Sequence, residues 1–247
     1  MRAEPFQVLR AAKREAAVPR KPRLVMAGAT GALGNEMMRR LVGLQRFETT
    51  QVLASEPIRA GLKTVQTPVM GSQPPLRWAP TTADVGVILF DPPRLFHDRE
   101  RALWTPVPAQ LPEVAGWMRR SGVHTLAVVL PHAQGQLPEA LKRGLASPDE
   151  HAVAALGFNR LLIIRSAQKP PTPPAKGFFP AVAQWMLSIF KYMVPSSEQP
   201  VRAVKVAEFA ALALELAPPG IHVAASETVW SAVQGDIRAA VRQWLRL

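Results

Sequence analysis

Gly28, Gly31 and Gly34 recur at three-residue intervals between a short apolar run, Arg23-Leu-Val-Met-Ala27, and a stretch from Asn35 to Leu44 with helical apolar spacing. That arrangement has a defined chemistry. The first glycine lets a strand turn sharply, the second lets the backbone approach a pyrophosphate, and the third lets a helix pack close to the strand. The helix start then offers free N–H groups and the positive end of its dipole to an anion. Thr30 and Leu33 complete this loop. A dinucleotide is the ligand such a cradle suits. A purely structural turn, or a pocket that has lost its ligand, would carry the same glycines.

The end of the second predicted strand, Ala54-Ser55-Glu56, is where an adenosine ribose would be read. Glu56 lies 22 residues after Gly34. A carboxylate there accepts from ribose hydroxyls and repels a 2′-phosphate, which favours NAD. Ser55 with Arg59 nearby would tolerate NADP instead, and a solvated loop carboxylate is the plain alternative.

The elements that must position this loop are legible as apolar runs. Strands are expected at Arg23–Ala27, Thr50–Ala54, Val85–Phe90, His124–Leu130, Leu161–Arg165 and Ile221–Ala225, with Val201–Val204 also extended. Helices are expected over Asn35–Leu44, Pro112–Ser121, Asp149–Leu156, Val206–Leu216 and Ile237–Leu245, with Gly122 and Gly157 at two of the stops. Apolar strands alternating with helices predict an α/β fold, a doubly wound parallel sheet covered on both faces.

The stretch Leu24-Val-Met-Ala-Gly-Ala-Thr-Gly-Ala-Leu-Gly34 resembles the opening of the atypical short-chain dehydrogenases/reductases, whose signature is Gly-Ala-Thr-Gly-x-x-Gly. Arg120-Ser-Gly-Val-His-Thr-Leu, Ala155-Leu-Gly-Phe-Asn-Arg-Leu-Leu-Ile-Ile-Arg165 and Val204–Leu216 extend the resemblance towards the NmrA-like and Tat-interacting-protein-like branches. It implies a Rossmann-like fold with a small C-terminal substrate-region subdomain. It also implies a Tyr-x-x-x-Lys pair and an upstream serine for proton transfer to a carbonyl.

Those groups are missing from their places. The strand that should end in serine ends Leu130-Pro131-His132, and counting back from Phe158 puts Lys142 and Ala146 where tyrosine and lysine belong. The chain's one tyrosine, Tyr192, lies far downstream. The family's glycine after the third apolar run is displaced, because Asp91-Pro92-Pro93 follows Phe90. The expectation is a pseudoenzyme that binds NAD or NADP and acts as a sensor, assembly factor or accessory subunit. The alternative is an oxidoreductase with a rebuilt site, His132 being the candidate acid/base and Lys142 and Asp91 its helpers.

Composition narrows the rest. The chain of 247 residues has no cysteine, which excludes disulfides, a thiol nucleophile and thiolate zinc sites. Asp149-Glu150-His151 does not read as a metal site, because adjacent helical residues point apart. The formal charge is +12, which favours polyanionic partners, but net five of those charges sit in residues 1–23. Trp104, Trp117 and Trp185 read as core or interface anchors, and no interleaving of cations with aromatics suggests a nucleic-acid face. Residues 1–22 are expected as a basic arm and 23–247 as one domain, with a variable substrate or lid region at about 166–200. Within that region Phe178–Val194 is the nearest approach to a membrane span, but it falls short of 18 uncharged apolar residues and carries Lys191 and a proline near its start. It is either a lid packed on the sheet or, with the arm, a docking element for a protein partner or membrane surface. A cytoplasmic protein is expected, peripheral to a membrane complex if that docking holds.

Overall fold

Leu24, Val25, Met26 and Ala27 are all fully buried, and they form the central strand β1 (Leu24–Ala27). Successive residues of a strand face opposite ways, so a strand buried on both faces must be apolar throughout. Parallel neighbours flank β1 on either side, β2 (Thr50–Val52) and β4 (Val85–Leu89). Beyond them lie β3 (Val65–Gln66) on one edge and β5 (Thr125–His132), β6 (Arg160–Ala167) and β7 (Gly220–Ala224) on the other. The sheet is parallel throughout, in the order β3-β2-β1-β4-β5-β6-β7. The computed structural model describes residues 20–58, 64–94, 97–132, 144–167 and 202–247.

Helices cover both faces. On one face lie α1 (Gly31–Gly43), α5 (Ala203–Leu216), α6 (Ser226–Val233) and α7 (Ile237–Leu245), whose core joins Leu24 and Met26 to Met37, Leu41, Phe209 and Val241. On the other lie α3 (Leu111–Arg120) and α4 (Pro148–Ala155), whose core joins Val25 and Ala27 to Ile88, Trp117, Met118 and Ile163. A one-turn helix, α2 (Asp98–Arg101), sits in the β4–α3 connection. Trp78 stacks edge-on against both Trp104 and Trp117, with ring centroids 4.8 and 5.5 Å apart, so these tryptophans are packing anchors as expected. Ser147 caps α4 by accepting from the Glu150 amide at 3.1 Å, and Asp236 caps α7.

The expected doubly wound fold is therefore the observed one, and most boundaries agree within two residues. Four elements differ. The two-residue β3, the one-turn α2 and helix α6 were not anticipated. Val204, expected in an extended stretch, lies in α5, because the buried stripe Val206, Phe209, Ala210 and Ala213 extends one helix back to Ala203. Tertiary burial overrides the local preference of a β-branched residue. Residues 1–19 of the arm, Lys142, Phe178–Val194 with Trp185 and Tyr192, and all of the expected lid region except Ser166 and Ala167 lie outside the described residues. What is described of the arm is tied down, Arg20 to Glu48 at 2.6 Å and Lys21 to the Gln45 carbonyl at 3.0 Å. Among the described residues no helix is long and apolar enough to cross a membrane.

Phe209 is wholly buried between α5, α1 and the sheet, with its ring 5.3 Å from that of Trp244. Phe209→Ala is expected to cost about 3–5 kcal/mol, lowering the melting temperature on the order of 10 °C in circular dichroism. Val204→Ser, on the exposed side of the same helix, is expected to cost less than about 0.5 kcal/mol.

Candidate functional site

The site lies at the carboxyl ends of β1 and β4, where strand order reverses and a doubly wound sheet opens a crevice. Gly28 ends β1 with φ +78°, and a Cβ there would lie 2.0 Å from the Leu89 carbonyl oxygen, so β1 and β4 approach this closely only because the residue is glycine. Gly34 has the packing role expected of it, since a Cβ would meet the Gly28 carbonyl oxygen at 2.6 Å. Thr30, fully buried, precedes α1 in an extended conformation but does not cap the helix with its side chain. Its hydroxyl instead donates to the Asp91 carbonyl at 2.5 Å and pairs with Thr105 Oγ1 at 2.9 Å.

The first N–H groups of a helix have no partners within it. Here distant carboxylates supply them. The Gly31 amide donates to Glu100 Oε2 at 3.0 Å, and the Leu33 amide to Asp91 Oδ2 at 3.1 Å. Glu100 is itself held on all sides. Its Oε2 also accepts the Arg94 amide at 3.0 Å, and its Oε1 accepts Asn35 Nδ2 at 2.7 Å and the Arg94 guanidinium. Glu100 is 5% exposed. Burial alone would raise its carboxyl, but the Arg94 side chain, the amides of Arg94 and Gly31 and the Arg94 charge outweigh it and hold the group down at about 2.

The backbone following Glu100 runs across the strand ends. The Ala102 carbonyl accepts the Ser55 and Glu56 amides at 2.8 and 3.2 Å, and Leu103 faces Ala54 in an isolated antiparallel bridge. Trp104 donates its amide to Leu53 at 2.9 Å, and its carbonyl accepts the Gly28 amide at 3.1 Å. A cavity of about 820 Å³ opens beside this segment, walled by Met38, Val42, Val52 and Leu103 and edged by Asn35, Arg94 and Glu100. Its size is that of a small-molecule or cofactor site.

Of the predicted residues, the structure brings Gly28, Thr30, Gly31, Leu33 and Gly34 into one cradle. Ser55 and Glu56 stand exposed on the far side of Ala102–Trp104, bonded to it through their amides. Asp91, expected as a catalytic helper, accepts the Leu33 amide at the start of α1. His132 ends β5 opposite Ala167, and its side chain lies outside the described residues. Glu150 of the acidic triplet is buried and bonded to Arg165 at 2.6 Å, anchoring the loop before α4, and no metal-binding cluster occurs among the described residues. Glu100, Asn35 and Arg94 escaped the sequence reading. The one signal for Glu100 is an isolated carboxylate pair, Asp98 and Glu100, amid Arg94, Arg99 and Arg101.

No family model matches this chain, and no curated protein sequence does. Solved structures are similar to it in fold. A Rossmann-fold NAD(P)-binding family protein from Shigella flexneri is 17% identical over 70% of this chain and 87% of its own, with a TM-score of 0.39. The Bordetella bronchiseptica enzyme WbmH, solved in complex with NAD+, is 12% identical over 86% of this chain and 80% of its own, with a TM-score of 0.45. The PhqB reductase domain from Penicillium fellutanum is 15% identical over 93% and 75%, also at 0.45. The sheet order defines that fold independently as a Rossmann-type doubly wound domain.

Glu100→Gln keeps the side chain's shape and removes the charge. At neutral pH the variant is expected to be less stable than the wild type by about 1–3 kcal/mol. A carboxyl whose folded value is depressed contributes fully above its unfolded value and loses that contribution as pH falls through the folded one. The gap in melting temperature between wild type and variant should therefore be constant above about pH 5 and close as pH falls towards about 2, read by thermal scans across that range.

Proposed function

We propose that the protein binds a nicotinamide dinucleotide, NAD or NADP, at the Gly28–Gly34 cradle and works as a sensor, assembly factor or accessory subunit rather than as a reductase. The observation that carries this reading is the occupancy of the Gly31 and Leu33 amides by carboxylates. The cradle is aimed at negative oxygen, and it holds two of them. The neighbouring cavity of about 820 Å³ adds a largely apolar wall of the size an adenosine requires.

The non-catalytic part of the reading rests on the chain's own residues. Carbonyl reduction of the short-chain type needs a hydroxyl acid near neutrality and a serine beside it. The described residues contain no tyrosine, and β5 ends in Leu130-Pro131-His132. Ser166 on β6 is buried and opposite Pro131. A reduced dinucleotide, if bound, would be able to supply a hydride, and the cradle residues would hold and orient its phosphates.

Ala32 is exposed in the first turn of α1, between the two occupied amides. Ala32→Glu places a carboxylate against an incoming pyrophosphate yet suits a helix start, so the fold should persist. By calorimetry or reduced-nicotinamide fluorescence, this variant is expected to bind NADH or NADPH at least tenfold more weakly than the wild type, with an unchanged melting temperature. Equal affinity would place the dinucleotide elsewhere and overturn the reading.

A further inference from the structure

We infer that Glu100–Thr105, with Asp91 and Arg94, forms an internal cap that occupies the nucleotide trough of this domain, so that a dinucleotide is admitted only when the cap is released. The inference rests on the binding assignment above and adds how access to that site is controlled.

Three independent sets of contacts place the cap where the ligand would lie. The first is chemical. Glu100 Oε2 and Asp91 Oδ2 sit 3.0 and 3.1 Å from the Gly31 and Leu33 amides, the positions of phosphate oxygens at a helix N-terminus. The second is steric. The second glycine of such a loop is needed so that a pyrophosphate can approach its backbone. Here a Cβ at Gly31 would lie 2.7 Å from Asp91 Cβ and 3.0 Å from the Pro92 carbonyl oxygen, so that space is filled by the chain itself. The third is topological. Ala102, Leu103 and Trp104 cross the carboxyl ends of β2 and β1, hydrogen-bonded to Ser55, Leu53 and Gly28, which is the path of a nucleoside across this fold.

Glu100 is the buried residue of the cap, Asp91 and Ala102–Thr105 are half-buried, and Arg94 and Arg101 are exposed. Leu103 and Trp104 pack against the two cores, Trp104 edge-on to Trp78, so release of the cap breaks that packing together with the charge-assisted bonds at Glu100. A dinucleotide offers the same amides two phosphates, so it competes directly with Glu100 and Asp91. The measured affinity is then the intrinsic one reduced by the fraction of open molecules.

The test is titration of the full chain with NADH and NADPH, comparing wild type with Glu100→Gln and with Thr105→Val. The second variant removes the Thr30 contact with little change of shape and guards against a fold lost at Glu100. Both variants are expected to bind more tightly than the wild type, Glu100→Gln by at least tenfold. Amide hydrogen exchange should speed up at residues 100–105 in the wild type when ligand is added. If Ala32→Glu weakens binding while neither cap variant strengthens it and exchange at 100–105 is unmoved, the cap is refuted and the binding site stands. If no protein of the set binds either dinucleotide, the binding assignment fails and the cap as a gate falls with it.

Discussion

The amide end of α1 is a buried set of hydrogen-bond donors that must be satisfied, and the conformation of the crevice follows from how that is done. Gly31 is buried, so leaving its N–H without a partner would cost about 1–3 kcal/mol. The helix carries no acidic residue in its first turn and no side-chain cap at Thr30. Glu100 therefore has to come from the β4–α3 connection, and it brings Arg94 and Asn35 with it. Once Glu100 is fixed, Ala102–Trp104 is delivered to the strand ends, where it finds backbone partners in Ser55, Leu53 and Gly28.

The sheet makes this closure possible. β1 and β4 are adjacent at the point where the strand order reverses, and Gly28 lets their ends approach within the distance that any side chain would block. The chain leaving β4 at Asp91 therefore emerges directly over the chain leaving β1, and Thr30 fastens the two through the Asp91 carbonyl. Elsewhere in the fold the buried pair Glu150–Arg165 fixes the residues before α4, with Arg165 also donating to the Gly144 carbonyl at 2.7 Å. A buried ion pair of this kind is weak evidence for stability. Its visible effect is positional, since it ties the β5–α4 connection to β6.

The fold was legible because burial on both faces of a parallel sheet demands continuous apolar runs, and Leu24–Ala27, Val85–Leu89 and Leu161–Ile164 are such runs. β3 was not, because two partly exposed residues carry no period. Of the site, the glycine spacing was legible since each glycine answers a local constraint within one turn. The partners of the cradle were not. Glu100 lies 69 residues from Gly31 and Asp91 lies 58 from Leu33, and nothing local in either stretch specifies the other. Asp91 came closest to being found, because an acid directly after an apolar strand stands out.

Charge accounting separates two uses of such a domain. A reductase benefits from a cofactor held at all times, so its cradle should be open and its donors free. Here the donors carry carboxylates, and an arriving pyrophosphate would meet both its hydrogen-bond donors and two negative charges that must move aside. Glu100 cannot simply remain and be tolerated, because like charges at one helix end repel within the distances involved. It also cannot be neutralised cheaply near pH 7, given how far Arg94 and the two amides hold it below the usual carboxylate range. On the proposed reading, binding would require movement of Glu100 and of the backbone bonded to Gly28 and Leu53. On the same reading, such a domain would convert the presence of a dinucleotide into a change of shape at the crevice.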